Sequence, residues 1–470
     1  MNTIYKNTNY IFSTSKKIIF SLSLSGLFLF QTSCTDFLDL KPIDTPTEDT
    51  FYNNENALQA GVISLYDGLQ SGLIYGSTYL TVAEVRGDNL TDNNPGAAGG
   101  VRYQIESFSE TSENKNLSDT WQGFYTVIYR ANILLDKAPN VAMDETRKRE
   151  ILAQAKFVRA LSYFNLIQLF GKVPLIITVQ TTAQARDNHR ANITEIYTQI
   201  ESDLKSATTD LPQVWTKNAD IGKATNLAAL ALLGKVYLYQ KKYSEVNATL
   251  EPLVALINAK TQLSLVPQTS TFPNGIKTSK DIIFGIYYLA GGIGESANIN
   301  NRYRNQDSNN LIVLPQSLYN NSDNRRALVV SPSSGSRPGK FNATTIGTES
   351  NGDFPVLRCA DVMLMYAEAQ NEISFPNAKA LTALNAVRTN SQTTTYTNTT
   401  LVSQDTFRKA VYLERRLELA LECDRWFDII RTGQMKTVMP EIPSFRAIYP
   451  IPQVEIDNVN DKTGWQNEGY

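Results

Sequence analysis

The chain has one histidine, His189, and three scattered cysteines, Cys34, Cys359 and Cys423, in 470 residues. That excludes a His-rich or CxxC-type metal site and leaves only oxygen ligands for a hard cation. A Ser-His-Asp or Cys-His mechanism would have to use His189, which lies in Arg-Asp-Asn-His-Arg with no G-x-S-x-G motif anywhere. It reads as an exposed loop residue. Charge of one sign is also missing: 44 Lys+Arg against 46 Asp+Glu give a net charge of −2, without the basic field of a nucleic-acid binder. Tryptophan is scarce at 4, whereas tyrosine reaches 23 and phenylalanine 19. Tyrosine offers a flat apolar face with a hydroxyl at its edge, a combination common at ligand-recognising surfaces.

No apolar run reaches the roughly 20 residues of a membrane-spanning helix. The longest early run, Ile18 to Phe30, follows Lys6, Lys16 and Lys17 and precedes Thr32-Ser33-Cys34. This pattern reads as a secretory signal over residues 1–33, with Cys34 as the lipidated residue of a bacterial lipobox. Gln31 stands where most lipoboxes carry an aliphatic residue. Acyl chains on Cys34 would tether a body otherwise without a membrane span. Cys359 and Cys423 sit in apolar helical patterns and read as buried thiols.

Helical periodicity dominates the remainder. It covers 56–69, 121–135, 151–170, 224–239, 243–257, 359–373, 377–388 and 407–430. Asn192 and Glu195 form a capping-box pattern for a further helix that stops at Leu211-Pro212. Leu233-Gly234-Lys235-Val236-Tyr237 matches the L-G-x-x-Y core of a tetratricopeptide helix. The expected fold is therefore mainly α, with about four tetratricopeptide-like helix pairs. Residues 34–260 and 261–470 form its two regions, as one compact unit. Ile282 to Leu289 is strand-like.

Two stretches, 72–108 and about 285–319, are irregular and interleave Tyr with Asn, Asp and Arg. Loops on a rigid scaffold concentrate binding residues. The candidate ligand-binding residues are Tyr75, Tyr79, Arg86, Asp88, Asn89, Tyr103, Tyr287, Tyr288, Asn300, Arg302 and Tyr303. Sugars present C–H faces that stack on such rings, and hydroxyl pairs that match Asp, Asn and Arg. Peptide recognition draws on the same residue set.

Other motifs have plainer readings. Gly292 to Ala297 fits G-x-G-x-x-A, but no helix-forming sequence follows to bind a dinucleotide. Arg86-Gly87-Asp88 reads as a chance tripeptide. Asp88 and Asp92 could hold Ca²⁺, although no metal site is expected. Glu414, Glu418 and Glu422, beside Arg415 and Arg416, read as an ion-paired helix face rather than acid–base chemistry, as do Glu368 and Glu372.

The ordered segments resemble the SusD/RagB family of Bacteroidetes surface lipoproteins. Asp36 to Pro42 (DFLDLKP) is similar to the family's start. Trp121 to Asn132 (WQGFYTVIYRAN) looks like its W-x-x-x-Y-x-x-I-x-x-A-N helix. Gln154 to Pro174 looks like its A-x-F-x-R-A-x-x-Y-F-x-L…G-x-V-P signature, and Pro355 to Glu372 like its R-x-A-D-x-x-L-x-x-A-E-A-x-N-E helix. Glu414 to Gly433 resembles E-R-R-x-E-L-x-x-E-G-x-R-W-F-D-x-x-R-x-G, with Cys423 in place of the usual Gly. Pro450-Ile451-Pro452 and Gln466 to Tyr470 match the ending. The resemblance implies a non-enzymatic, cofactor-free lipoprotein on the outer face of the outer membrane. It implies capture of glycan for a SusC-like TonB-dependent transporter, with a peptide-binding RagB-like role as the alternative. A helical glycoside hydrolase is a more distant rival and would need two carboxylates facing each other across a cleft.

Overall fold

The computed structural model describes residues 51–92, 96–217, 220–272, 276–289, 310–312, 316–329, 340–341, 345–346 and 349–470. The leader, Cys34, Gly292 to Ala297, Asn300, Arg302 and Tyr303 lie outside them.

Helices build the body. α1 (Glu55–Gln70) begins at Asn54, whose side chain accepts from the Ala57 N–H and so satisfies one of the donors orphaned at a helix start. It buries Leu58, Val62, Leu65 and Leu69, the face its spacing predicts. α2 (Thr78–Glu84), β1 (Leu90–Asp92) and α3 (Val101–Glu106) occupy the first irregular region. α4 (Lys115–Lys137), α5 (Glu145–Phe170), α6 (Ile193–Asp210), α7 (Asn226–Tyr239) and α8 (Tyr243–Ala259) follow, each packed on the next. The capping box of Asn192 and Glu195 opens α6 as expected.

Gly234 explains the close approach of α7 and α8. A Cβ there would fall 2.3 Å from Leu250 Cδ2, so this helix pair requires the glycine of L-G-x-x-Y. α9 (Cys359–Ile373) packs on α8, α10 (Ala378–Asn390) and α11 (Gln404–Glu418). The mainly α fold of successive helix pairs is thus as the sequence implies. Residues 52–470 cluster as one unit.

Strands are short and pair segments far apart in the chain. β2 (Ile282–Ile286) pairs antiparallel with β4 (Phe354–Arg358), which runs directly into α9. β1 pairs antiparallel with β3 (Asn310–Ile312).

One expectation needs correction. The helix expected over 407–430 is two helices, α11 and α12 (Arg425–Arg431), separated by a turn. Leu421 and Cys423 in that turn adopt left-handed backbone, φ 68° and 67°. The turn is held from outside: Glu84 accepts from the N–H of Leu421 (3.2 Å) and of Cys423 (2.8 Å). The Glu414–Glu418–Glu422 stripe is ion-paired, as expected, and the pairs are buried. Arg325 donates to Glu414 (2.7 Å) and Glu418 (2.9 Å). Arg358 donates to Glu422 (2.7 Å), Asp281 (2.7 Å) and Glu418 (3.1 Å). All of these side chains are buried. Isolated charges cannot be buried cheaply, so each one sits against an opposite partner. Cys359 and Cys423 are both buried and form no disulfide with each other, as the sequence reading expects.

Candidate functional site

Most of the first irregular region is packed inward. Every residue of α2 is buried. Tyr75 and Tyr79 meet edge to face with centroids 5.1 Å apart. The Tyr79 hydroxyl donates to Asn165 Oδ1 at 3.0 Å, and Asn165 Nδ2 donates to the Tyr75 hydroxyl at 2.9 Å. Burial pushes both phenols above their ordinary range. The two rings line an interior cavity of about 40 Å³ with Gln168, Lys235 and Asp424, enough for a water. Tyr288 is 1% exposed and donates to the Gln70 carbonyl at 3.3 Å. In this conformation none of the three rings presents a face to a ligand.

Arg86 is fully buried. Its guanidinium lies 4.0 Å from the Tyr449 ring centroid, 4.7 Å from that of Phe108 and 5.1 Å from that of Trp426. It donates to Glu110 at 3.0 Å and to the Arg446 carbonyl. The Arg-Gly-Asp tripeptide is therefore not displayed.

Asp88 is held by α12 and α11. Arg425 donates to its two oxygens at 2.5 and 3.0 Å, and Arg416 adds an ion pair at 3.0 Å. Burial alone would raise this carboxyl; the hydrogen bonds and charge of Arg425, with Arg416, outweigh it and hold the pKa below the ordinary value. Asn89, also buried, accepts from Arg416 Nε at 2.9 Å. Both Asp88 oxygens being engaged by guanidinium disfavours the Ca²⁺ reading. Among the described residues no group of three His, Cys, Asp or Glu side chains could hold a metal. His189 is exposed in its loop.

What reaches the surface is Tyr103, 36% exposed on α3. Gly99 and Gly100, at φ 70° and 78°, turn the chain into α3 through left-handed backbone that favours glycine. α3 packs beside β1. Through β1 and β3 the two irregular regions meet, with Leu90 opposite Ile312 and Asp92 opposite Asn310. Tyr287 lies elsewhere, half-buried in a groove of about 220 Å³ with Trp215 and Lys223. The residues missed by sequence reasoning are Arg416 and Arg425, which fix Asn89 and Asp88 from 327 and 337 positions away. No local signal near Asp88 identifies them.

Two family models match the chain. One, described as starch-binding associating with outer membrane, covers residues 36–238, and one described as the SusD family covers 287–444. A SusD-like protein of Formosa agariphila is 26% identical, over 93% of this chain and 97% of that protein. Among solved structures, a laminarin-binding SusD-like protein is 27% identical, with TM-score 0.75 over 89% of this chain and 100% of that one. A SusD homologue from Bacteroides thetaiotaomicron, 22% identical with TM-score 0.76 over 90% and 98%, is alike in fold.

Proposed function

The chain belongs to the SusD family, and from that premise we propose that it captures oligosaccharide at the cell surface without catalysis and delivers it to a SusC-like TonB-dependent transporter. Cys34 carries the lipid that holds it on the outer face of the outer membrane. The observation that carries the reading is the β1–β3 ladder. It joins Leu90–Asp92 of the first region to Asn310–Ile312 at the end of the second, with Tyr103 exposed on the helix that packs beside β1. The likeness to a laminarin-binding relative supports a glycan as the occupant. Within this site Tyr103 stacks on the sugar, while Asp88 and Asn89 hold the loop in shape.

Affinity electrophoresis and calorimetry against a glycan panel, with a peptide pool alongside, test the reading. Binding of at least one neutral glycan, recovered intact, is expected. Binding confined to peptides, or turnover of the bound glycan, would overturn it. The lipid is tested by labelling with a palmitate analogue, which Cys34→Ala should abolish. Co-purification with a SusC-like barrel tests the delivery step.

A further inference from the structure

Three segments far apart in the chain are tied together beside α4. The Tyr125 hydroxyl donates to the Pro174 carbonyl at 2.7 Å. Arg190 donates to the carbonyls of Lys172 (2.8 Å), Gly464 (3.0 Å) and Trp465 (2.7 Å), and to the Asn467 side chain. Asn460 gives its backbone N–H to the Arg186 carbonyl and its side-chain amide to Asp187, both at 2.8 Å. The walls so fixed enclose a groove of about 580 Å³, a volume typical of small-molecule sites.

Its lining is aromatic with polar edges. Trp121 and Trp465, each 3% exposed, form its floor with half-buried Tyr125, and Tyr129 gives it an open ring. The Trp121 and Tyr125 rings lie 5.0 Å apart at 37°. Tyr129, one turn further along α4, is 43% exposed. Gln122 and Thr126 are exposed on the same side of the helix. Asn188 is braced by two hydrogen bonds with Gln180, at 3.0 and 2.8 Å. The Trp465 indole N–H is buried in the groove wall without an acceptor among the described residues. None of the lining residues belongs to 72–108 or 285–319.

We propose that this groove is a second saccharide site, separate from the loop site and selective for neutral sugars. The proposal rests on the reading of the protein as a glycan binder. The exposed Tyr129 ring suits the C–H face of a pyranose, and the Gln122 and Asn188 amides suit its hydroxyls. The charged lining residues, Arg186 and Glu455, balance, so the groove has no field for a phosphate or a polyanion. A purely apolar occupant would desolvate the amides without replacing their hydrogen bonds. The cross-ties hold the walls in place before binding, which reduces the ordering cost.

Calorimetry of the whole protein with neutral hexasaccharides, laminarihexaose first, tests this. The wild type should titrate two sites. Tyr129→Ala should weaken one by about tenfold, the scale of a lost aromatic contact, and Gln122→Ala should weaken the same one. Both variants should leave the other site intact, and saccharide should perturb tryptophan emission in the wild type through Trp121 and Trp465. A single site insensitive to Tyr129→Ala and Gln122→Ala would overturn the groove and leave the function above standing. A wild type that binds none of the hexasaccharides would overturn both.

Discussion

Arg159 and Asp203 form a bidentate pair across α5 and α6, Nε to Oδ2 and Nη2 to Oδ1 at 2.8 Å each. The same guanidinium donates to Asn132 Oδ1 on α4 at 2.8 Å and to the Ile177 carbonyl at 3.1 Å. Two sequence signatures thereby explain each other: the Ala-Asn ending of Trp121–Asn132 and the Arg-Ala of the following helix meet at one buried fork. Arg159→Ala strips Asp203 of its cation in a site where both side chains are nearly fully buried. Removing one partner of a buried pair costs about 3–5 kcal/mol. Urea denaturation of Arg159→Ala should show that loss. Arg159→Lys should recover only part of it, because an ammonium cannot reproduce the planar fork. An unchanged midpoint for Arg159→Ala would refute the assignment.

Glu84 predicts an unusual pH profile. Burial raises its carboxyl to about 7, although the N–H groups of Cys423 and Leu421 pull it down. Asp353 is likewise raised by burial to about 6, against the pull of the Tyr288 N–H. Between the unfolded value of 4.5 and about 7, the fold keeps a proton on Glu84 that the unfolded chain has released. Its contribution is full below 4.5 and is lost as pH rises through 7. Asp361 and Glu418, held below their ordinary values despite burial by Lys235 and Arg415, and by Arg358 and Arg325, act in reverse and lose their contribution in acid. The melting temperature should therefore be greatest near pH 4.5 to 5 and fall as pH rises to about 7. Glu84→Gln, with no proton to lose, should flatten that fall, whatever it does to absolute stability. A profile rising from pH 5 to 8 would contradict the account.

The helices were legible because amphipathic spacing is local information. α9 occupies the expected residues 359–373, and α1, α7 and α8 end within two residues of their expected bounds. The break after Glu418 was not legible. Leu419-Ala420-Leu421 reads as good helix, and the group that ends it, Glu84, is 337 positions from Leu421. The site was legible in part for a related reason. Thr78–Glu84 is a seven-residue helix buried on every side, too short to show a sustained amphipathic period, and its Tyr79 reads as a loop aromatic. Only tertiary packing separates Tyr79 in the core from Tyr103 at the surface.

Cys423 gives that break a measurable signature. At φ 67° it holds a conformation that costs a non-glycine residue roughly 1–2 kcal/mol, in the position where the family pattern carries glycine. Cys423→Gly relieves that strain and gives up a buried thiol and some unfolded-state entropy, so stability should stay within about 1 kcal/mol of the wild type. Cys423→Val adds a β-branched side chain where φ is positive and should cost more than about 2 kcal/mol. Thermal denaturation of the pair reads the difference. Equal stability of the two variants would remove the backbone explanation.

Tyr75 and Tyr103 separate structure from recognition. The Tyr75 hydroxyl accepts from Asn165 beside the interior cavity. Tyr75→Phe leaves that buried amide short of a partner, so it should lose about 1–3 kcal/mol of stability. Because the ring is 2% exposed, glycan affinity should not change at a temperature where the variant is folded. Tyr103 reverses both expectations. It is exposed on α3, so Tyr103→Ala should cost little stability. As the face next to the β1–β3 ladder it should weaken glycan binding by about tenfold, the scale of one aromatic stacking contact. Calorimetry and denaturation on the two variants form a crossed pair of measurements. Loss of affinity in Tyr75→Phe with none in Tyr103→Ala would place the sugar on the Tyr75 side of the protein and would reject the surface site.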